Sequence, residues 1–354
     1  MEEGGIEEDG SAKEASRAEK DSMVEDGKMR KDIKKIDLHM HSNISDGTDT
    51  PEELVRKVAE SGIDLFSLTD HDSIKGAVII SAILKGMDGQ PRDASHPTQD
   101  ASCPTQDASS PTQDASSPTQ DASSPMFVSG VEFSCRDSLG KYHLLGYGYD
   151  PANERIAGLA DKVHGFRMRK AKDRLDYLDM HYGIRFPDEA VRAYFSMDNP
   201  GKPQLGNLLV DYGHAPDRDT AIERYINRMK LKSSYIGPEE AIDSILAAGG
   251  VPVLAHPAFG SGSEYITGAD MEDRLLRLIN MGLQGVEAYY SRFTPDIQSE
   301  QLHFADKYGL YVTAGSDYHG MNKPVRLGEN NLEDARTGAP GLSSFLTRVL
   351  AEGQ

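Results

Sequence analysis

Short apolar runs alternate with amphipathic segments over much of the chain. The apolar runs contain many β-branched and aromatic residues, and each predicts a buried strand. The seven predicted strands cover residues 36–40, 64–70, 126–133, 142–148, 251–257, 285–290 and 310–317. Helical patterns lie between several of them, as in TPEELVRKVAESG, where Thr50 is a suitable N-cap and Gly62 ends the helix. This alternation predicts an α/β fold with a largely parallel sheet and crossover helices.

Three segments depart from this alternation. Residues 1–32 are polar, acidic and poor in aromatic residues, which predicts a disordered tail. Residues 93–125 repeat a unit of the form DASxPTQ, which has a proline and too little apolar surface to fold, so we expect a flexible loop. Residues 152–235 carry helical patterns and predict an insertion between two strands. The sheet would then be built from residues 33–151 and 236–354.

The formal net charge of −19 does not predict a surface for long nucleic acids. Residues 1–32 and 88–125 each contribute −5, so about half of the excess lies in segments that we do not expect to fold. The remainder is still acidic, which argues against tight binding of duplex DNA along its phosphate backbone. A small phosphorylated substrate held by metal ions fits this charge better.

No segment predicts export or a membrane partner. No window approaches the roughly 18 consecutive apolar residues of a membrane helix. The amino-terminal segment also lacks the apolar stretch of a secretory signal. The two cysteines, Cys103 and Cys135, offer neither a disulfide framework nor a CxxC metal pair. We therefore expect a cytoplasmic protein, and the sequence gives no indication of its oligomeric state.

Histidines and carboxylates collect near the predicted strand ends. Six of the chain's 11 histidines lie there, and His39 and His41 are spaced so that both side chains point to one face of a strand. In an α/β barrel the carboxyl ends of parallel strands meet at one face, where such residues would converge. Imidazoles and carboxylates together suit Zn, Mn or Fe, and they are too many for a single ion. The predicted multinuclear site comprises His39, His41, Asp46, His71, Glu132, His143, His256, Asp317 and His319.

The motifs around these residues resemble those of a known superfamily. HMHSNISDGTDTPEELV, LTDHDSIKG, GVEFS, HLLGYG, VLAHP and TAGSDYHG occur in this order between residue 36 and about residue 328. They resemble the polymerase and histidinol phosphatase (PHP) superfamily of metal-dependent phosphoesterases. The helical insertion is similar to that of the subgroup that hydrolyses nucleoside monophosphates or 3′,5′-bisphosphates, some members of which degrade short RNA from the 5′ end. The resemblance implies a distorted seven-stranded (β/α)7 barrel and a trinuclear site, with manganese as the expected ion.

The resemblance also implies how the ligands divide among three metals. One metal would be held by His39, His41, Glu132 and Asp317, a second by Glu132, His143 and His256, and a third by Asp46, His71 and His319. A hydroxide bridging the metals would attack phosphorus in line, while the metals neutralise charge on the phosphoryl oxygens. Glu132, Asp317 and His319 would lie at the reacting centre. We expect Asp70 to support His71, because a metal-bound imidazole usually has a carboxylate or carbonyl partner.

One motif of the insertion departs from the subgroup. Where the subgroup usually has GRPH, this chain has Gly201, Lys202, Pro203 and Gln204. Lysine keeps the positive charge but lacks the two-pronged guanidinium, and glutamine can act neither as an acid nor as an imidazole ligand. The departure bears on substrate preference rather than on the metals. Lys202 and Arg292 are our candidates for contacts with substrate phosphate, the alternative being that both are solvated surface charges.

The leading hypothesis is a hydrolase that removes phosphate from AMP, from 3′,5′-bisphosphonucleotides or from the 5′ end of short RNA. Histidinol-phosphate phosphatase is the alternative within the same superfamily, and its enzymes typically lack the 152–235 insertion. An amidohydrolase would also use an HxH motif but often has a carbamylated lysine at the position of Glu132.

A non-enzymatic hypothesis is a PHP module attached to a polymerase. No polymerase sequence accompanies the motifs here. Every expected ligand position is also filled, which argues against a degenerate module. The enzyme hypotheses are therefore favoured.

Overall fold

The computed structural model describes residues 33–88, 124–198, 200–230, 234–259 and 265–351. The predicted tail at 1–32 lies outside these residues, as does the predicted repeat loop apart from its last two residues. The described residues form eight strands in two sheets, with helices between them.

The smaller sheet is parallel and has the order β1-β2-β3. Its strands are β1 (Ile36–Asp37), β2 (Leu65–Phe66) and β3 (Met126–Phe127). The larger sheet has the order β4-β5-β6-β7-β8. Its strands are β4 (Gly130–Arg136), β5 (Lys141–Tyr147), β6 (Val251–Leu254), β7 (Gly285–Tyr290) and β8 (Tyr311–Gly315).

The expectation of a largely parallel sheet is wrong for one strand. β6, β7 and β8 are parallel, but β5 runs antiparallel to both of its neighbours, β4 and β6. Only four residues separate β4 from β5, and the amide of Asp137 bonds to the carbonyl of Gly140 across the turn. So short a connection permits a hairpin and excludes a parallel crossover, which needs a dozen or more residues.

Backbone hydrogen bonds connect the two sheets at both of their edges. The amide of Leu38 donates to Ala314 beyond the end of β1, and that of Asp317 donates to His39. On the other side, the amide of Glu132 donates to Asp70. The prediction of an α/β fold is confirmed. Regular strand pairing does not continue through these junctions in the described residues, so the closed seven-stranded barrel stays a prediction.

Helices follow most of the strands and cover the sheets with apolar faces. Thr50 begins the first of them with a capping box, in which its hydroxyl accepts from the amide of Glu53 and the Glu53 side chain accepts from the amide of Thr50. The helices outside the insertion are α1 (Pro51–Glu60), α2 (Lys75–Asp88), α7 (Pro238–Ala247), α8 (Gly268–Asn280), α9 (Pro295–Tyr308) and α10 (Pro340–Ala351). None of the helices in the described residues is long and apolar enough to cross a membrane.

The segment between β5 and α7 is helical. It contains α3 (Glu154–Tyr182), α4 (Asp188–Ser196), α5 (Lys202–Asp211), α6 (Arg218–Ala221) and a π-helical turn at Ile222–Ile226. The first turns of α3 pack into the main core through Ile156 and Leu159, whereas Leu178 near its end belongs to a separate apolar cluster with α5. α3 therefore connects two cores. The division of the chain into domains at residues 152 and 235 stays a prediction.

Deleting residues 93–124 is expected to leave kcat, KM and metal content within about twofold, and stability unchanged or slightly raised, because loop-closure entropy depends weakly on length. The flanking strand β3 is parallel to β2, and the amide of Met126 bonds to Asp64 at its amino end, away from His71 at the other end of the pair. Steady-state kinetics, elemental analysis and thermal unfolding of the deletion variant check this. A large loss of activity in a folded, metal-loaded variant would contradict it.

Candidate metal centre

Glu132 lies at the centre of a buried cluster of imidazoles. Its Oε2 is 3.4 Å from His39 Nε2, 3.2 Å from His41 Nε2 and 3.0 Å from His71 Nδ1. Its Oε1 is 2.9 Å from His143 Nδ1 and 3.2 Å from His256 Nε2. The Glu132 side chain is 1% exposed. Five of the six predicted histidines therefore surround one carboxylate.

This arrangement fits metal ions better than it fits hydrogen bonding. A carboxylate offers about four lone-pair positions, and five imidazole nitrogens compete for them. The Nε2 atoms of His39 and His41 also lie only 3.2 Å apart. Imidazole nitrogens and carboxylate oxygens are preferred ligands of Zn, Mn and Fe, and a bridging carboxylate can serve two ions at once. The donor set of the described residues thus suits more than one divalent metal.

Asp317 forms a second side of the cluster. Its Oδ1 lies 3.4 Å from His41 Nε2, 3.6 Å from His39 Nε2 and 3.3 Å from His319 Nδ1. Its Oδ2 accepts hydrogen bonds from Tyr290 and Lys323, both at 2.7 Å. Neither Tyr290 nor Lys323 was identified from the sequence as part of the site. Both residues orient this carboxylate.

Asp46 forms the third side and is the most exposed carboxylate of the three. Its Oδ1 is 3.2 Å from His319 Nε2 and 3.8 Å from His41 Nδ1, and its Oδ2 is 3.9 Å from His71 Nε2. The structure therefore brings all nine predicted ligands together. Three groups offer closely spaced ligand atoms: His41, Asp46, His71 and His319; His39, His41 and Glu132; and His71, Glu132 and His143.

The hairpin explains how Glu132 and His143 reach the cluster. We expected Glu132 at the end of its strand, but it is the third residue of β4, where it bridges to His71 beyond β2. His143 is the third residue of β5. Because β5 is antiparallel, its beginning lies at the edge where β6 and β8 end. Glu132 and His143 therefore still converge with the other predicted ligands, although β5 is antiparallel.

The backbone is locally unusual at two of the predicted ligands. His256 and Asp317 have φ angles of 28° and 59°, in or near the left-handed region that non-glycine residues rarely adopt. Such conformations persist only where the surrounding structure holds them, and they concentrate at functional sites. A side chain at Gly315 would clash with His39 and Glu287, so glycine is required at that position for the cluster to form.

The pKa values place Glu132 and His71 in their metal-binding forms. Burial raises the pKa of Glu132, but His71, His143 and His39 outweigh it and hold that pKa well below the usual range. Burial keeps the pKa of His71 well below its usual value. Burial also lowers the pKa of His41, but Asp317 and Glu132 raise it to about 9. An ionised carboxylate and a neutral imidazole are the forms that coordinate a metal.

The sequence interpretation missed Glu287, which supports two of the predicted ligands. Its side chain is fully buried in β7, where Oε1 is 2.9 Å from His39 Nδ1 and Oε2 accepts from the amide of His256 at 2.7 Å. A carboxylate bonded to the far nitrogen of an imidazole fixes the ring and increases its basicity. The only signal for Glu287 in the sequence was a glutamate within the otherwise apolar strand GVEAYY.

The contacts of Asp70 lie in the loop that carries two of the predicted ligands. Its carboxylate accepts from the amide of Ser42 and from the hydroxyls of Ser42 and Ser45, each at 2.7 Å. These residues belong to the loop that connects His41 to Asp46. Asp70 therefore stabilises this loop, and its expected support of His71 stays a prediction.

A cavity of about 470 Å³ adjoins the cluster and is lined by residues of both the sheet and the insertion. Asp46, His71 and His143 form part of its wall. Five cationic side chains line the remainder: Lys141, Arg167, Lys170, Arg174 and Lys202. Arg167 pairs with Asp72, but none of the other four has an ion pair among the described residues.

The structure places the two candidate phosphate contacts differently. Lys202 lines the cavity, where burial, Arg174 and Lys141 lower its pKa. Arg292 is not part of this lining, and its guanidinium lies 4.9 Å from the centre of the Phe259 ring. Lys141, Lys170 and Arg174 were not identified from the sequence, because cations on a helix or a strand edge usually face solvent.

Comparison with known proteins agrees with this geometry. Residues 37–93 match the family model described as the PHP domain. A 3′,5′-nucleoside bisphosphate phosphatase from Chromobacterium violaceum is 28% identical over 82% of this chain and 89% of its own length. A 5′-3′ exoribonuclease from Haemophilus influenzae is 24% identical over 84% of this chain and 94% of its own length.

The fold also has a counterpart among solved structures. A protein from Bifidobacterium adolescentis superposes on this chain with a TM-score of 0.67. Its name assigns it provisionally to the metal-dependent phosphoesterases. The match covers 88% of this chain and 96% of that protein at 24% identity, so it bears on the fold alone. The PHP domain matched at residues 37–93, the two relatives and the His, Asp and Glu cluster make this chain similar to the PHP metal-dependent phosphoesterases, and it is a hydrolase.

Proposed function

We propose that the protein hydrolyses phosphate monoesters of small nucleotides and binds a second anionic group of the substrate in the cationic cavity. The observation that carries this proposal is that one cavity contains both the Asp46, His71 and His143 edge of the metal cluster and four cations without a carboxylate partner among the described residues. Like charges grouped without counter-ions favour binding of an anion. The cavity volume of about 470 Å³ is in the range of small-molecule sites.

In the proposed mechanism the chain holds divalent metals, with three Mn²⁺ ions as the expected complement. The nine predicted ligands would hold them in the three groups that the resemblance implies, and Glu132 would serve two ions. When bound, such ions activate water for attack and neutralise phosphoryl charge. Asp317 is oriented by Tyr290 and Lys323, and His39 by Glu287. We also retain the closed seven-stranded barrel and the cytoplasmic location as proposals.

The charge of the cavity favours nucleotides over histidinol phosphate. A nucleoside bisphosphate can place one phosphate at the metals and the second against Lys141, Lys170, Arg174 and Lys202. Histidinol phosphate instead carries an ammonium group, which these four cations would repel. The relatives named for a nucleoside bisphosphate and for 5′-3′ cleavage of RNA support a nucleotide substrate. A 5′-phosphorylated short RNA would offer the same two kinds of anion.

The test is to measure turnover of four substrates side by side with Mn²⁺: 3′,5′-bisphosphoadenosine, AMP, histidinol phosphate and a 5′-phosphorylated short RNA. We expect kcat/KM to be highest for the bisphosphate or the RNA, intermediate for AMP and lowest for histidinol phosphate. A preference for histidinol phosphate would overturn the proposal. Equal rates on all four would show that the cavity makes no contribution to recognition.

The protein is expected to bind more than one metal per chain, because nine ligands converge and Glu132 contacts five imidazoles. Elemental analysis of protein purified without chelator checks this. The matched measurement is activity during stepwise addition of Mn²⁺ to chelator-treated protein. Full activity at a single equivalent would contradict a multinuclear site.

Replacing Lys202 with alanine is expected to raise KM for nucleotides about tenfold or more, because hydrogen bonds to charged groups contribute roughly 1.5–3 kcal/mol. Slow hydrolysis of p-nitrophenyl phosphate should be nearly unchanged, since that substrate has no second anion. Lys172→Ala is the matched control, because Lys172 lies on α3 and pairs with Asp176 on the surface. An equal loss on both substrates would place Lys202 in the chemistry or in the fold.

A further inference from the structure

The loop that carries Asp46 is attached to the helical insertion by one side chain. Gln204, in the first turn of α5, donates from Nε2 to the carbonyl of Ser45 at 2.7 Å. Its Oε1 accepts from the amide of Gly201 at 3.1 Å and so closes the start of α5. The side-chain amide of Gln204 therefore joins the start of α5, in the insertion, to Ser45, the residue that precedes Asp46.

A second contact holds the other side of Asp46. Asn322 donates from Nδ2 to the Asp46 carbonyl at 2.7 Å, and its Oδ1 accepts from Arg218 of α6. The carbonyls of Ser45 and Asp46 are thus both bound by side chains that belong to the insertion or contact it. These two contacts hold the peptide groups on both sides of Asp46, in addition to the bonds that Asp70 makes with Ser42 and Ser45.

Asp46 is the ligand for which such support matters most. It is the only carboxylate in the group with His41, His71 and His319. Its side chain is 25% exposed, whereas those of Asp317 and Glu132 are 7% and 1% exposed. Because its carboxylate is the most open to solvent, this position has the least packing around it to hold a cation. We expect it to be the weakest of the metal positions.

We propose that Gln204 is a positioning residue that sets the metal affinity of the Asp46 site. This inference rests on the proposed function, because it assumes that the cluster binds metals. The donor Nε2 holds the Ser45 carbonyl, and the loop then presents the Asp46 carboxylate toward His319 and His71. Partners of this kind typically change metal affinity by about 10- to 100-fold when they are removed. Gln204 also lines the cavity, so the substrate pocket and the metal centre would share this residue.

The substitution Gln204→Glu isolates this role. A glutamate at this position can still close α5, since glutamate and glutamine serve equally in a capping box. It cannot donate to Ser45 when ionised. Its added negative charge would on its own strengthen cation binding, so weaker binding can be attributed to the lost donor. Asn207→Glu is the matched control, because Asn207 lies one turn further along α5 with an exposed side chain.

The experiment is titration calorimetry with Mn²⁺ on the chelator-treated full chain, together with thermal unfolding of the metal-free protein. Asp46→Asn identifies the binding event that belongs to the Asp46 site. For Gln204→Glu we expect the affinity of that same event to fall about tenfold or more, with the other events within about twofold and the melting temperature unchanged. The Asn207→Glu variant should match the wild type.

The failures of the two proposals are distinguishable. If the wild type binds several Mn²⁺ ions and Gln204→Glu binds them equally well, the positioning role is overturned while the proposed function stands. Equal weakening of every event, or a lowered melting temperature, would also overturn it in favour of a general structural role. If the wild type binds no Mn²⁺, the proposed function itself fails.

Discussion

Replacing Glu132 with glutamine is expected to lower kcat about a thousandfold or more. Glu132 contacts five imidazoles with two oxygens and is the carboxylate expected to serve two metals. The amide removes the negative charge and turns one ligand atom into a donor, with little change of shape. Metal ions contribute several kcal/mol of transition-state stabilisation, and each 1.36 kcal/mol is tenfold in rate. Steady-state kinetics at saturating Mn²⁺ measure the loss.

The matched variant is Asp46→Asn, which removes a carboxylate expected to serve one metal. Its loss of activity should be distinctly smaller than that of Glu132→Gln, because Asp46 contacts fewer imidazoles and is more exposed. Metal content should fall by more in Glu132→Gln than in Asp46→Asn. Comparable residual activity in the two variants would contradict the bridging role of Glu132.

Replacing Glu287 with glutamine is expected to lower metal affinity by about 10- to 100-fold, the usual effect of removing a partner of a metal-bound histidine. The carboxylate contacts His39 Nδ1 and the amide of His256, two donors that a neutral amide cannot both satisfy equally well. Calorimetric titration with Mn²⁺ gives the affinity, and kcat at saturating metal should fall less than it does in Glu132→Gln.

Glu240→Gln is the control for this second prediction, because the exposed carboxylate of Glu240 pairs with Lys162 at the surface. It should bind Mn²⁺ as the wild type does. Unchanged affinity in Glu287→Gln would show that its contacts with His39 and His256 serve the fold and not the metals.

The sequence by itself predicted the α/β class and the convergence of the cluster. The apolar runs before His39, His71 and His256 each contain a strand, and the polar residues that follow them lie at one edge. These features are local, since alternation of apolar and polar positions and helix capping depend on neighbours within a few residues. Thr50 is an example, because its capping box is visible in the sequence and present in the structure.

The tertiary structure alone decided the direction of β5, the roles of Glu287 and Asp70, and the composition of the cavity. In the sequence, Lys170 and Arg174 look like surface cations on a long helix, and Gln204 is only a departure from the GRPH motif. Their significance depends on their neighbours in space: Lys170 and Arg174 line one cavity with Lys202, and Gln204 bonds to the carbonyl of Ser45. Such pairings join residues far apart in the chain. Local periodicity carries no information about them, because they are set by how the insertion packs against the sheet.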